Sequence, residues 1–338
     1  MKKGRFYLFQ TYARAIATPA PKVDIQKRSV SLRSRIIHEW SKGDVAIDRA
    51  ERRPVTIILP VRLMDVSVDE DLNRIIRIVQ TIPSDLYEVL IVDDGSSCDN
   101  YEKLCSIAIE NSVGIIRTDG CGGEFSIGRA RDFGAMHSRT RFILFHDIDF
   151  LMDSRSYRCL LEELDFHHMW HNPFCFFAVP GAYLSQQYSD VYIEAISNGN
   201  IDQADLQVLE AVRKKDKSKV INFTMAISAI MVDRRFFIAM GGHDKSFVGH
   251  GAEDFELMHR LAQYDPRPPL PRGYNVNLRS NQTSLYLGFR AYFAKYGKPL
   301  FERGLCFKHI WHPPRGEVGY YANKNQEIIS DALLRWLD

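Results

Sequence analysis

The chain has 338 residues, 45% of them hydrophobic and 12% aromatic, which is enough apolar surface for a large core and excludes a disordered chain or a small stapled scaffold. The net charge of +2 conceals an asymmetry: residues 1–53 carry 13 Lys and Arg against 5 Asp and Glu, a net +8, which leaves −6 for the remainder. Six cysteines (Cys98, Cys105, Cys121, Cys159, Cys175 and Cys306) show no paired metal-ligand spacing, and no apolar run reaches about 18 residues, so a cytoplasmic protein with neither signal peptide nor membrane span is expected.

In the basic front segment, Pro19 and Pro21 break any long helix, and Phe6, Tyr7, Phe9 and Trp40 lie among the charges. Such a segment suits either an anionic membrane surface or polyanionic product, or simply a solvated extension. Strong periodicity begins after Arg53. Val55 to Val61 (VTIILPV) reads as a strand, Asp69 to Thr81 as a helix through Leu72, Ile75, Ile76 and Val79, and Glu88 to Val92 as a second strand.

The alternation continues through a helix near Asn100 to Ile109, a strand at Gly114 to Arg117, a helix near Ile127 to His137 and a strand at Arg141 to Phe145. Repeated βα units predict a mostly parallel sheet with helices on both faces, and ligands are then expected beyond the carboxyl ends of the strands. Further on, a helix near Tyr157 to His171 and a strand at Phe174 to Val179 are expected. The polar stretch Ser185 to Lys219, with the charge run Arg213 to Lys219, reads as a helical insertion with a solvated loop. One apolar run spans Phe223 to Val232, a helix should begin near Glu253 and end before Pro266, and Pro266 to Pro271 is a loop.

Four motifs carry possible chemistry. Asp93-Asp94-Gly95-Ser96-Ser97 directly follows the second strand, where carboxylates can accept from a base N–H or from ribose hydroxyls; the same residues also make an ordinary βα turn. His146-Asp147-Ile148-Asp149 places two carboxylates at the tip of a buried strand, where a divalent cation would relieve their repulsion. Gly249 to Leu257 (GHGAEDFEL) brings Glu253, Asp254 and Glu256 to a helix start; the helix dipole explains one acid better than three, and Asp254 is the candidate general base. Cys306 to Pro313 (CFKHIWHP) offers a neutral imidazole as a further ligand, and Trp311 suits either a core or a sugar-stacking position.

Taken in order, these motifs resemble those of a GT-A-fold glycosyltransferase of family 2 type, similar to bacterial enzymes of capsule biosynthesis and to chondroitin-polymerase and GalNAc-transferase modules. The resemblance covers roughly Pro54 to Pro314. It implies an α/β Rossmann-like sheet, a basic extension at 1–53, one catalytic domain at 54–315 and a helical tail at 316–338. It implies that Pro60, Arg62, Asp93 and Asp94 line a nucleoside pocket and that Arg131 contacts the donor side, with Asp132 standing where the family more often has Asn. By the same resemblance the cation, Mn²⁺ or Mg²⁺, falls to Asp149 and His312 with Asp147 as the other acid of the pair, which reaches the sugar or ribose; His312 is preferred to His309. Asp254 becomes the base of an inverting transfer from a UDP-sugar, and Glu253 orients the acceptor, a glycan or lipid-linked saccharide.

Two other functions fit parts of the pattern. A sugar-nucleotide pyrophosphorylase needs a glycine-rich basic loop after the first strand, but Pro60 to Asp65 (PVRLMD) has no glycine and Asp69, Glu70 and Asp71 follow it. A sugar-nucleotide-binding scaffold that has lost its chemistry would not be expected to retain Asp147, Asp149, Asp254 and His312 together.

Overall fold

The computed structural model describes residues 53–63, 67–119, 125–271, 273–277, 287–313 and 322–334, so almost all of the basic extension expected at 1–53 lies outside the described residues. The first strand, β1 (Val55–Val61), is buried along its whole length, as a central parallel strand covered on both faces must be. It pairs in parallel with β2 (Tyr87–Asp93) on one side and β4 (Phe142–Phe145) on the other, and β2 pairs with β3 (Gly114–Arg117). Two antiparallel strands, β9 (Ile230–Asp233) and β6 (Phe176–Ala178), extend the sheet to the order β3-β2-β1-β4-β9-β6. From β1 the chain runs outward through β2 to β3 and then returns to the other side as β4, so the strand order reverses between β1 and β4, the place where such sheets bind ligands at their carboxyl edge.

Alternation along the strands feeds two cores. Ile57, Leu59 and Val61 face α1 (Val68–Thr81), α2 (Cys98–Glu110) and α4 (Ser154–Phe166). Ile58, Val92, Ile143 and Phe145 face α3 (Ile127–His137), α7 (Arg234–Ala239), α8 (Glu253–Leu261) and α9 (Gly288–Glu302). The helix α3 lies so close to β1 that a Cβ at Gly134 would come within 2.6 Å of the Ile58 side chain. Side-chain caps start several helices: Ser97, Ser126 and Asp153 each accept from backbone N–H groups of the first turn of α2, α3 and α4.

A second sheet, which periodicity does not reveal, has the order β5-β10-β7-β8, with β5 at Phe150–Leu151, β7 at Gly181–Leu184, β8 at Val220–Thr224 and β10 at Phe307–His309. The single apolar run Phe223 to Val232 is therefore two strands, β8 and β9, belonging to different sheets; the chain crosses between them at residues 225–229. In the same way the expected strand Phe174 to Val179 shortens to β6, and β7 follows in the other sheet. The expected helix Tyr157 to His171 ends at Phe166, because His167 caps it and His168 takes a left-handed φ of 56°. The polar insertion is two helices, α5 (Gln186–Ser197) and α6 (Ile201–Lys214), and α9 is an element the sequence reading does not contain. The last helix, α10 (Ala322–Leu334), buries Ile329 and Leu333 in the second core, and Asn325 Nδ2 donates to the Val248 carbonyl at 3.1 Å.

Candidate active site

The tips of β1 and β2 are stitched together, since Val61 is the register partner of Asp93 and the Asp94 N–H donates to the Val61 carbonyl at 2.9 Å. Buried Pro60 and half-buried Arg62 flank Val61 and therefore border Asp93 and Asp94. Both acids are fully buried and held by the protein's own donors. Asp93 accepts from the Ser96 hydroxyl and N–H and lies 3.1 Å from Arg117 Nε. Asp94 accepts from Thr118 Oγ1 at 2.6 Å, from the Ser126 N–H at 2.9 Å and from Arg129 twice, at 2.9 and 2.7 Å.

Ser126 leads directly to the third motif, for it bridges to Gly249 and the Ile127 N–H donates to the Gly249 carbonyl at 3.2 Å. The turn that follows is left-handed at Gly249, Gly251 and Ala252, with φ of 71°, 115° and 70°. Glycine takes such angles freely, but at Ala252 they cost about 1–3 kcal/mol, a strain of the kind retained at functional sites. The strained turn starts α8 with Glu253 and Asp254 at its first two positions.

Glu253 is buried; its Oε2 accepts from the Gly251 N–H at 2.6 Å and its Oε1 from Arg131 at 3.2 Å. The other arm of Arg131 donates to Asp147 Oδ1 at 2.7 Å, while Asp147 Oδ2 accepts from Ser228 at 2.8 Å. A guanidinium only 1% exposed thus ties the strand-tip acid to the helix-start acid. Burial would raise the Asp147 carboxyl, but Arg131 and the Ser228 hydroxyl outweigh it and hold it below the usual carboxylate value. Burial raises Glu253, against the opposing charge of Arg131. Burial also pushes Asp254 up to about 6, helped by the negative charge of Glu253 and opposed by Arg131 and Arg290. A carboxylate poised there can accept a proton near neutral pH.

The turn behind Asp147 is fixed by His146. Its Nε2 lies 2.8 Å from the Tyr157 hydroxyl and its Nδ1 lies 2.9 Å from the Asp147 carbonyl, which can only accept. The imidazole therefore carries its proton on Nδ1, and burial lowers its pKa to about 4, so it is neutral at pH 7.

Asp149 faces a different edge. Its Oδ1 lies 3.4 Å from Arg74, a buried residue of α1 held by Asp71 at 2.8 Å and by Glu70, and its Oδ2 lies 3.5 Å from His312 Nε2. Strand β10 pairs antiparallel with β5, and the Ile310 N–H donates to the Asp149 carbonyl at 2.8 Å, which sets the register. One ligand atom each from Asp149, His309 and His312 lies within 4.8 Å of the others, so both histidines, and not His312 alone, reach the acid. Asp147 is outside this group of ligand atoms. His312 Nδ1 lies 2.8 Å from the Pro313 carbonyl and must donate to it, which turns the Nε2 lone pair toward Asp149.

Asp132, where the resembled family more often has Asn, clamps the turn after α7: it accepts from the His243 N–H at 3.0 Å and lies 2.7 Å from His243 Nδ1. Sequence reasoning does not single out Arg74, Arg129 or Ser228. Of these, only Arg129 has a signal nearby, beside the Ala130-Arg131 pair.

Residues 56–331 match the profile described as glycosyltransferase like family 2. No curated protein matches the chain. Among solved structures, S. aureus TarS 1-349 is similar at 18% identity with a TM-score of 0.28, over 38% of this chain and 35% of that one. The mannosyltransferase PcManGT from Pyrobaculum calidifontis, solved with GDP-Man and Mn²⁺, is similar at 17% identity with a TM-score of 0.38, over 75% of this chain and 64% of that one. The match thus spans about a third of the TarS chain and under two thirds of PcManGT.

Proposed function

The chain belongs to the glycosyltransferase like family 2 and is a glycosyltransferase of the α/β GT-A type, and from that premise we propose that it is a metal-dependent, inverting enzyme moving a sugar from a UDP-sugar to a hydroxyl of a glycan or lipid-linked saccharide. The observation that carries this reading is the linkage Glu253, Arg131, Asp147, which joins the strand-tip acid to the helix start where the next residue, Asp254, has its carboxyl raised by burial.

Asp254 takes the proton of the acceptor hydroxyl as that oxygen forms its bond to the anomeric carbon; the bond from the same carbon to the diphosphate oxygen breaks, and UDP leaves. One-step displacement from the opposite face inverts the anomeric centre. Glu253, fixed by Gly251 and Arg131, orients the acceptor, and Asp147 reaches the sugar or ribose. Pro60, Arg62, Asp93 and Asp94 form the nucleoside wall, Asp94 chiefly by keeping Thr118, Ser126 and Arg129 in place. The chemistry of the third edge fits a divalent cation, because a carboxylate oxygen and an imidazole lone pair converge there. Mn²⁺ or Mg²⁺ held by Asp149 and His312 would supply the positive charge that stabilises the leaving diphosphate.

Capsule or surface polysaccharide synthesis is the proposed setting, in the cytoplasm, with the basic residues 1–53 touching the inner membrane face. Among the described residues no helix is long and apolar enough to cross a membrane. Co-sedimentation of the chain with anionic but not neutral vesicles checks the peripheral contact; equal recovery with both contradicts it.

The testing experiment is UDP release by purified protein from a panel of UDP-sugars, with Mn²⁺ or with EDTA, using Asp254→Asn as control. Metal-dependent release that vanishes in the variant supports the reading. Release unaffected by the variant overturns the base assignment, and binding of nucleotide sugar without any turnover favours the inactive scaffold.

A further inference from the structure

Resting on the reading of Asp149 as a cation ligand, we propose that the centre is a site of one carboxylate and two imidazoles, in which His309 binds the ion beside His312 and Asp149.

Strand register places His309 there. On β10, Phe307 and His309 share a face, and that face meets the rings of His146 and Phe150, at 4.7 Å from Phe307 and 5.6 Å from His309 respectively. Lys308 points the other way, where it forms a buried ion pair with Asp205 of α6 at 2.6 Å and lies over the Tyr192 ring. A lysine only 1% exposed cannot exchange places with its neighbour, so the pairing fixes which side His309 faces. The His309 ring stacks on Tyr183 at 4.5 Å and lies 5.2 Å from the His312 ring.

The segment after β10 is anchored as tightly. The Trp311 N–H donates to Ser189 Oγ of α5 at 2.9 Å, and His312 is oriented by the Pro313 carbonyl. On the acid side, Arg74 faces Asp149 Oδ1, so the oxygen turned toward the histidines is Oδ2. The second acid of the motif, Asp147, is occupied by Arg131 and Ser228 and adds no hard oxygen. The protein's share of the coordination is thus two imidazole nitrogens and one carboxylate oxygen. Mg²⁺ prefers an all-oxygen shell and loses water reluctantly, whereas imidazole suits the later divalent ions.

The test uses the full chain stripped of metal. Free Mn²⁺ is followed by electron paramagnetic resonance during titration, with Mg²⁺ as competitor and UDP either absent or present. His309→Phe, which keeps a ring to stack on Tyr183, should lose about 10–100-fold in Mn²⁺ affinity with its melting temperature retained. The visible spectrum of bound Co²⁺ gives a second readout and should change in His309→Phe. Unchanged Mn²⁺ affinity and an unchanged Co²⁺ spectrum in that variant overturn the proposal. Metal binding through His309 without turnover of any UDP-sugar would instead overturn the transferase mechanism and leave this site standing.

Discussion

Asp94 and Asp254 are both acids set beside a turn, and the bridge between Ser126 and Gly249 joins their two turns, yet their surroundings are opposite. Asp94 accepts four hydrogen bonds, two of them from one guanidinium. Asp254 accepts from the N–H of its own neighbour Phe255 at 2.9 Å and has Glu253 as the adjacent charge. A carboxylate saturated with donors works as a strut, while one raised by burial and by a neighbouring like charge has a proton affinity near the working pH and can exchange its proton. The Asp-Asp-Gly corner and the Glu-Asp corner look alike as acidic motifs; their donors tell them apart.

Substitutions can sharpen or break that contrast. The largest effect is expected at Asp254→Asn, where kcat should fall by about 10²–10⁴-fold while donor affinity stays, as read by UDP release and nucleotide-sugar titration. The same variant removes a charge that burial disfavours, so its melting temperature should not fall; a large fall would make Asp254 another strut. Next is Arg131→Leu, which strands Asp147 and Glu253 without their shared cation and should cost about 3–5 kcal/mol in denaturant unfolding. Unfolding no easier than wild type would show that the two acids are not held through it.

Smaller still is Asp94→Asn, expected to lose about 1.5–3 kcal/mol of stability with kcat changed less than about tenfold. A catalytic collapse with normal stability would reverse the comparison. The mildest prediction concerns pH. Because the folded-state pKa of Asp254 is raised, the group is protonated between its ordinary value and about 6, and the base is lost as pH falls through about 6. kcat/KM should therefore drop by about tenfold for each pH unit below that point. A flat profile down to pH 5 would remove Asp254 from the proton transfer.

Much of this was legible from the sequence. The uninterrupted apolar run at Val55 to Val61 and the βα alternation through Phe145 lie where the parallel sheet is found, because fully buried strands and amphipathic helices write their periods plainly. The acids at strand tips and at the start of α8 were visible as motifs. The second sheet was not, since strands of two to five residues are too short to show a period, and so Phe223 to Val232 read as one undivided apolar run. The partners were also hidden: Arg129 lies 35 positions from Asp94 and Ser228 81 positions from Asp147, and no local pattern links such residues. That His309 joins His312 beside Asp149 depends on the side of β10 it faces, which the pairing of Lys308 with Asp205 decides from a helix about 100 residues earlier.

That pairing bears on how the chain can be shortened. The hairpin of α5 and α6 resembles a dispensable surface insertion, the kind of segment that is ordinarily trimmed to make a more compact enzyme. Removing it would leave Lys308 buried without its counter-charge directly behind the strand that presents His309, and would take away the Ser189 hydroxyl that anchors Trp311. The excursion is therefore a buttress for the cation edge, and minimal versions of this enzyme must keep it.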